Sequence, residues 1–143
     1  MILLDVNVLV AAYRADQPHY KIARPWFDEL TNSDEPFGVP DEVWASFVRI
    51  TTNRRIFSVP TPITEAFEFV TAVRGQPNHI AVSPGTRRLQ LFERLCDEGE
   101  ASGDLVPDAY LAALAVEQGA TLVSFDRDFA RFPGLKWRTP SGS

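Results

Sequence analysis

The sequence is poor in the residues that build thiolate metal sites, disulfides and membrane spans. Among its 143 residues are one cysteine, Cys96, and two histidines, His19 and His79. A lone cysteine cannot form an internal disulfide, excludes a zinc site built from cysteines, and fits a reducing compartment. No apolar run approaches the roughly 20 residues of a membrane-spanning helix. The N-terminal Met-Ile-Leu-Leu-Asp carries no basic leader, so we expect a cytoplasmic protein without a secretory signal.

Lysine is also scarce, and the charge balance is acidic. Asp and Glu total 19 and Lys and Arg total 14, of which 12 are Arg, for a net charge of −5. A protein that grips nucleic acid mainly through its net field is normally basic. Arginine nevertheless suits bidentate phosphate contacts. An acidic protein can also bind phosphates where metal ions neutralise its carboxylates.

The overall composition is that of an ordinary globular chain. Hydrophobic residues make up 45% and charged residues 23%, which excludes a disordered chain, a collagen-like chain and a coiled coil. A chain of this length is most simply one domain, since domains commonly hold roughly 100–150 residues. We therefore expect a single domain over residues 1–143, with a short C-terminal tail from about residue 138.

Short apolar runs alternate with amphipathic segments along the chain. Runs at 1–6, 37–39 and 121–125 predict strands, and 79–82 is a further strand candidate. The helical patterns lie at 7–16, 19–31, 40–52, 61–73, 86–96 and 107–118. This alternation predicts an α/β fold with a mainly parallel sheet.

Carboxylates fall at the predicted strand ends and helix starts. Asp5 lies near the end of the first strand, and Asp126 directly follows the last one, with Asp128 two residues on. Glu42 and Asp108 lie in the first turns of two predicted helices. Ligands of open α/β sheets bind at the carboxyl ends of the strands. If the strands are neighbours, four or five carboxylates therefore meet at one edge.

Such a cluster needs a charge partner. Two like charges about 4 Å apart repel by ~4 kcal/mol at an effective dielectric constant near 20, so clustered acids take up protons, pair with Arg or Lys, or bind a cation. The scarcity of lysine favours a cation, and oxygen-only ligands suit Mg²⁺ or Mn²⁺. Each acid also has a structural explanation as a turn or helix-start residue, so spacing alone supports a carboxylate site and nothing further.

Four motifs resemble one known family. They are Asp-Val-Asn-Val-Leu at 5–9, Pro-Asp-Glu-Val-Trp at 40–44, Pro-Asp-Ala-Tyr-Leu-Ala-Ala-Leu-Ala at 107–115, and Leu-Val-Ser-Phe-Asp-Arg-Asp-Phe at 122–129. Together they resemble PIN-domain ribonucleases, and more closely the VapC toxins of bacterial VapBC toxin–antitoxin modules. The stretch 17–26 is similar to the mycobacterial type. The resemblance is specific in residues 1–30, 38–57 and 104–132 and weak in 58–103.

The resemblance implies a three-layer α/β/α fold and endoribonuclease activity that depends on Mg²⁺ or Mn²⁺, with water activated by the metal. It implies that the catalytic, metal-binding quartet is Asp5, Glu42, Asp108 and Asp126. Asp128 then falls where many members carry an accessory metal-binding acid.

Other residues are expected to support the site or contact RNA. By resemblance, Asn7 and Ser124 occupy polar positions that support the site through hydrogen bonds. Candidate phosphate contacts near the metal are Arg49, Arg54, Arg55 and Arg127.

The resemblance also implies partners. Transfer RNA is the commonest expected substrate, with ribosomal RNA next. A cognate VapB-like antitoxin is expected to wrap the toxin and block the site, because an Arg side chain can take the place of the metal among the acids. A homodimer is expected, and a heterotetramer or larger assembly with the antitoxin.

Alternatives from other classes remain at this point. A non-catalytic RNA- or partner-binding regulatory module on a PIN-like fold predicts binding that survives metal removal, without turnover. A metal-dependent DNase is chemically close, because the acids act on phosphates rather than bases. A receiver domain or a haloacid-dehalogenase-type phosphatase fits less well, since Asp5 is followed by Val6-Asn7 rather than by their acidic motifs.

Overall fold

Four short strands form one parallel sheet. In this computed structural model, which describes residues 1–142, the order across the sheet is β2-β1-β3-β4. All three pairings are parallel, and the central β1 aligns Ile2 with both Phe37 and Thr121. The strand bounds are β1 Ile2–Leu4, β2 Phe37–Gly38, β3 Thr121–Val123 and β4 Lys136–Arg138. This confirms the predicted α/β class.

In the described part of the chain, six α-helices flank the sheet. Helix α1 packs against α2 and α3, α3 packs against α4, and α5 packs against α6. Within residues 1–142, no helix is long and apolar enough to cross a membrane. The bounds are α1 Val6–Tyr13, α2 Tyr20–Thr31, α3 Asp41–Thr51, α4 Ile63–Arg74, α5 Arg88–Glu98 and α6 Val106–Gln118.

The two helices that carry predicted site residues begin and end as their sequences indicate. Helix α3 starts after Pro40 with acids in its first turn and ends with Arg49 in its last turn, which suits the helix dipole at both ends. Helix α6 has Pro107 in its first turn and stops at Gly119, whose φ of 63° lies in the left-handed region. A glycine there ends a helix without a steric penalty.

Two segments differ from the sequence-based expectation. The predicted strand at 79–82 is wrong, because only an isolated bridge joins His79 to Phe37. Strand β2, which lies beside this segment, has only two residues. It is therefore too short for residues 79–82 to form a ladder with it.

The second difference is β4, which was not predicted. It is a three-residue strand with Lys and Arg at its ends, at one edge of the sheet, and charged, very short strands are common at sheet edges. Because Arg138 belongs to β4, and Thr139 and Pro140 are buried, the chain stays packed past the position where the tail was expected to begin. Residue 143, the last of the expected tail, lies outside the described residues.

Candidate metal and nuclease site

The centre of the site is a hydrogen-bonded junction between the ends of β1 and β3. Asp5 follows β1 and caps α1, its Oδ1 accepting from the backbone N–H of Val6 at 2.7 Å. Its Oδ2 accepts from the Ser124 hydroxyl at 2.7 Å. Burial raises the pKa of Asp5, the two hydrogen bonds oppose that rise, and the charge of Asp126 adds to it.

Asn7 and Ser124 complete this junction. The Ser124 hydroxyl donates to Asp5 and accepts from the Asn7 amide at 3.0 Å and from the backbone N–H of Asp126 at 3.0 Å. One donor and two acceptors are the whole capacity of a hydroxyl. Asn7 Oδ1 accepts in turn from the backbone N–H of Phe125 at 3.1 Å. The network therefore fixes the start of α1 against the segment that carries Asp126.

Three other carboxylates converge beside this junction. Asp108, Asp126 and Asp128 each offer an oxygen, and these oxygens all lie within 4.8 Å of one another. We call these three residues the aspartate triad. The Asp126 carboxylate also accepts from the backbone N–H of Asp128 at 2.9 Å, which holds the turn after β3 in place.

The carboxylates of the triad act on one another electrostatically. The pKa of Asp108 is raised to about 6, first by burial and then by the charges of Asp126, Asp5 and Asp128, while Arg131 lowers it. All of these ligand atoms are oxygens, and three clustered carboxylates fit a hard divalent cation such as Mg²⁺ or Mn²⁺. The donor set therefore matches the metal that the sequence predicts.

Glu42 lies in the same cavity but has its own counterion. A cavity of about 210 Å³ is lined by Asp5, Glu42 and Asp108, among others. The Glu42 carboxylate is ion-paired with Arg88 at the start of α5. Three acids of the predicted quartet thus line one cavity, and the fourth, Asp126, lies near Asp108 in the aspartate triad.

Arg88 is the residue of this site that the sequence analysis missed. It is only 5% exposed, its guanidinium lies 3.5 Å from the ring centre of Tyr110, and it donates to the Tyr110 carbonyl. One signal pointed to it: positions 88, 91 and 95 share a face of α5, and Leu91 and Leu95 are apolar. A charged residue on a buried helical face needs a partner, and here that partner is Glu42.

The four arginines predicted to contact RNA are exposed. Arg49 lies in the last turn of α3, and Arg54 and Arg55 lie in the turn after it. Arg127 follows Asp126 directly, at the start of a 3₁₀ turn over Arg127–Arg131. Their exposure leaves them accessible to a ligand, and their RNA contacts stay a prediction.

Comparison with known proteins identifies the class to which this fold and site belong. The sequence matches the PIN domain family over residues 2–135. The chain belongs to the PIN-domain family.

Its curated relatives place it more narrowly. The chain is 57% identical over 140 residues to ribonuclease VapC25 of Mycobacterium tuberculosis, covering 98% of this chain and 99% of that protein. It is 56% identical over the same length to ribonuclease VapC31 of the same species. Within the PIN-domain family the chain is a VapC-type ribonuclease.

Solved structures agree on the fold. The VapBC2 complex of Rickettsia felis, bound to a DNA fragment from its promoter, matches with a TM-score of 0.67 at 18% identity, covering 97% of this chain and 98% of that one. Mycobacterium tuberculosis VapC20, described as a toxin that cleaves the sarcin-ricin loop, matches with a TM-score of 0.66 at 18% identity, covering 95% and 99%. These likenesses support the PIN-like arrangement of sheet and helices.

Proposed function

We propose that this VapC-type ribonuclease is the toxin of a type II toxin–antitoxin module and cleaves RNA in the cytoplasm with Mg²⁺ or Mn²⁺. The observation that carries the proposal is the aspartate triad beside Asp5, at the strand ends of a chain 57% identical to a ribonuclease. A non-catalytic module does not need three carboxylates within 4.8 Å of one another, whereas a metal-dependent nuclease uses such a cluster to hold its cation.

The position of each residue in the site indicates its role. Asp108, Asp126 and Asp128 would hold the cation, with Asp5 beside them. A bound divalent ion supplies the activation of water and the stabilisation of charge on the phosphodiester. Glu42 faces the same cavity and, because Arg88 anchors it, is placed to orient water or take up a proton. Asn7 and Ser124 keep Asp5 aimed at the triad.

The exposed arginines would supply the phosphate contacts. Arg127 lies between two triad aspartates in sequence, so it is the closest of the four to the cation along the chain. Arg49, Arg54 and Arg55 extend from the end of α3, the helix that begins with Glu42. We propose transfer RNA as the substrate class, with ribosomal RNA as the outcome that the same experiment would reveal.

The cognate partner would be a VapB-like antitoxin. A cationic side chain entering the acidic cavity can satisfy the aspartates in place of the metal, which gives inhibition a physical basis. A wide apolar groove of about 560 Å³ also lies along α4, lined by Ile63 and Phe67, both of which are 53% exposed. Exposed apolar patches of this kind mark protein contacts, and we propose that the antitoxin covers this one. The toxin would act as a homodimer, and as a heterotetramer or larger assembly with the antitoxin.

The test is cleavage of total bacterial RNA by purified, antitoxin-free protein. We expect discrete fragments with Mg²⁺ or Mn²⁺, none with EDTA, and none from Asp5→Ala. Mapping the fragment ends identifies the RNA class and the cut site. RNA binding without cleavage under either metal would instead support the non-catalytic module, and cleavage of DNA alone would support a DNase.

A further inference from the structure

A second cavity of similar size lies directly beside the acidic one. It has a volume of about 230 Å³ and is lined by Asn7, Gln17, His19, Ile50 and Phe125, among others. Val6 lines both cavities, so the two share a wall at the start of α1. A group bound in the second cavity therefore lies next to whatever occupies the acidic one.

A stacked pair of rings forms one side of this second cavity. The rings of His19 and Phe125 are parallel to within 9°, with centroids 4.3 Å apart. Phe125 lies between Ser124 and Asp126 in the chain, and its backbone N–H is bound by Asn7. The position of the ring pair is thus fixed relative to the catalytic carboxylates.

His19 is held at the surface rather than packed in the core. It is exposed, and its carbonyl accepts from the backbone N–H of Ala23 at 2.8 Å as α2 begins. A flat exposed ring, supported from below by a second ring, is the arrangement on which unpaired bases stack in RNA-binding proteins.

The chemistry of the walls limits the occupant. The volume lies below the roughly 300–1,000 Å³ of sites for drug-sized ligands, so it suits one planar ring system. Apolar side chains of Val6, Ile50 and Phe125 provide stacking and packing surface, and the Gln17 amide can both donate and accept. No lysine, arginine or acid is among the side chains that line it, which favours a neutral base over a phosphate.

The net negative charge of the protein makes local contacts with RNA more important. A net charge of −5 opposes RNA binding through the overall field, so affinity must come from local contacts. Base stacking supplies such affinity without requiring positively charged side chains next to the acidic site.

We propose that this cavity is a nucleobase subsite, in which one unpaired base next to the scissile phosphate stacks against the His19–Phe125 pair. The proposal rests on the proposed function, because it takes RNA as the ligand of the neighbouring acidic site. It makes His19 a substrate-binding residue and adds base contact to a site otherwise built for phosphate chemistry.

The test measures binding apart from turnover. In an inactive Asp108→Asn background, the affinity for a labelled single-stranded oligoadenylate of about 12 nucleotides, within the usual site size, is compared with that for an abasic ribose-phosphate oligomer of equal length. We expect His19→Ala to weaken oligoadenylate binding about 5- to 150-fold, the range for losing one stacked base. Binding of the abasic oligomer should not change, and His19→Trp should restore oligoadenylate affinity.

Phe67→Ala is the matched control, because it removes an exposed aromatic ring from α4, outside both cavities. It should leave oligoadenylate affinity unchanged. The subsite is overturned if His19→Ala binds oligoadenylate as tightly as its parent, if it weakens both oligomers equally, or if the parent shows no preference for oligoadenylate. Metal-dependent cleavage by the wild-type protein together with any of these results would leave the nuclease intact and remove only the subsite.

Discussion

The acidic site has two sides, the aspartate triad and Glu42, and they differ in how their charge is balanced. On one side, Asp108, Asp126 and Asp128 lie within 4.8 Å of one another, and the pKa of Asp108 rises to about 6. On the other side, Glu42 is paired with the buried Arg88. The negative charges on the first side repel one another, whereas the charge of Glu42 is paired with that of Arg88. We therefore expect the acids of the predicted quartet to have different tasks, with cation binding by the triad and a role in positioning for Glu42.

Removing a triad carboxylate should have the largest effect. We expect Asp108→Asn to lower the RNA cleavage rate by at least ~100-fold, because the cation loses a ligand and the reaction loses its charge stabilisation. The measurement is single-turnover cleavage with Mn²⁺. Asp104→Asn, which removes an exposed acid from the preceding 3₁₀ turn, is the control and should cleave normally. Equal loss in both variants would contradict a specific role for the triad.

Removing the ion pair between Glu42 and Arg88 should have a smaller effect on cleavage and none on cation binding. We expect Arg88→Met to slow cleavage about 10-fold, because Glu42 loses a charge-assisted hydrogen bond of about 1.5–3 kcal/mol. Arg88→Lys should recover part of the rate. Mn²⁺ affinity should not fall in either variant.

Arg87→Met is the matched control for Arg88, since it removes the same charge from the adjacent, exposed position. It should cleave like wild type. If it slowed cleavage as much as Arg88→Met does, the effect would come from net charge, and the anchoring of Glu42 would be disproved.

Replacing Ser124 should weaken the hydrogen-bonded junction between the ends of β1 and β3. Its hydroxyl is buried and makes three hydrogen bonds, so Ser124→Ala should lower the free energy of unfolding by about 1–3 kcal/mol. Cleavage should fall only a few-fold, because Asp5 keeps its bond from Val6. Urea denaturation and cleavage assays check both parts, and an unchanged unfolding free energy would show that the network adds no stability.

The smallest expected effect is on the pH dependence of the free energy of unfolding of the metal-free protein. Because the pKa of Asp108 is about 6 in the fold and 3.8 ordinarily, the folded state binds more protons than the unfolded state between those values. The stability that protonated Asp108 contributes is therefore fully present below about pH 4 and lost as the pH rises through 6. With solvent screening of this half-buried group, the loss should be about 1 kcal/mol.

Asp108→Asn separates this contribution from other titrating groups. Without metal it should be more stable than wild type at pH 7.5, and the difference should shrink toward pH 4. Urea denaturation at the two pH values measures the difference. A constant difference across that range would show that Asp108 titrates normally.

Much of the site could be predicted from the local sequence, because its residues lie at the ends of strands and the starts of helices. Asp5 ends an apolar strand and caps the next helix, and Asp126 follows another strand, so both lie at one edge of the sheet once the two strands are neighbours. Asp108 and Glu42 occupy helix first turns that Pro residues mark. These positions depend on neighbours in sequence and on the parallel order of strands.

The remaining features depend on contacts between distant segments. Arg88 meets Glu42 across 46 positions, and His19 stacks on Phe125, so neither pairing has a local signature. The short edge strand β4 is stabilised by pairing with β3 rather than by its own pattern. The candidate at 79–82 has a short apolar run, but only the two-residue strand β2 lies beside it, and a single bridge forms.

The most direct test of the difference between the two sides is a calorimetric titration of Mn²⁺ into Asp108→Asn and Glu42→Gln, each beside the wild-type protein. We expect Asp108→Asn to lose most of the Mn²⁺ affinity and Glu42→Gln to bind Mn²⁺ nearly as tightly as wild type, although its RNA cleavage falls. Loss of Mn²⁺ binding in Glu42→Gln with retention in Asp108→Asn would contradict this expectation.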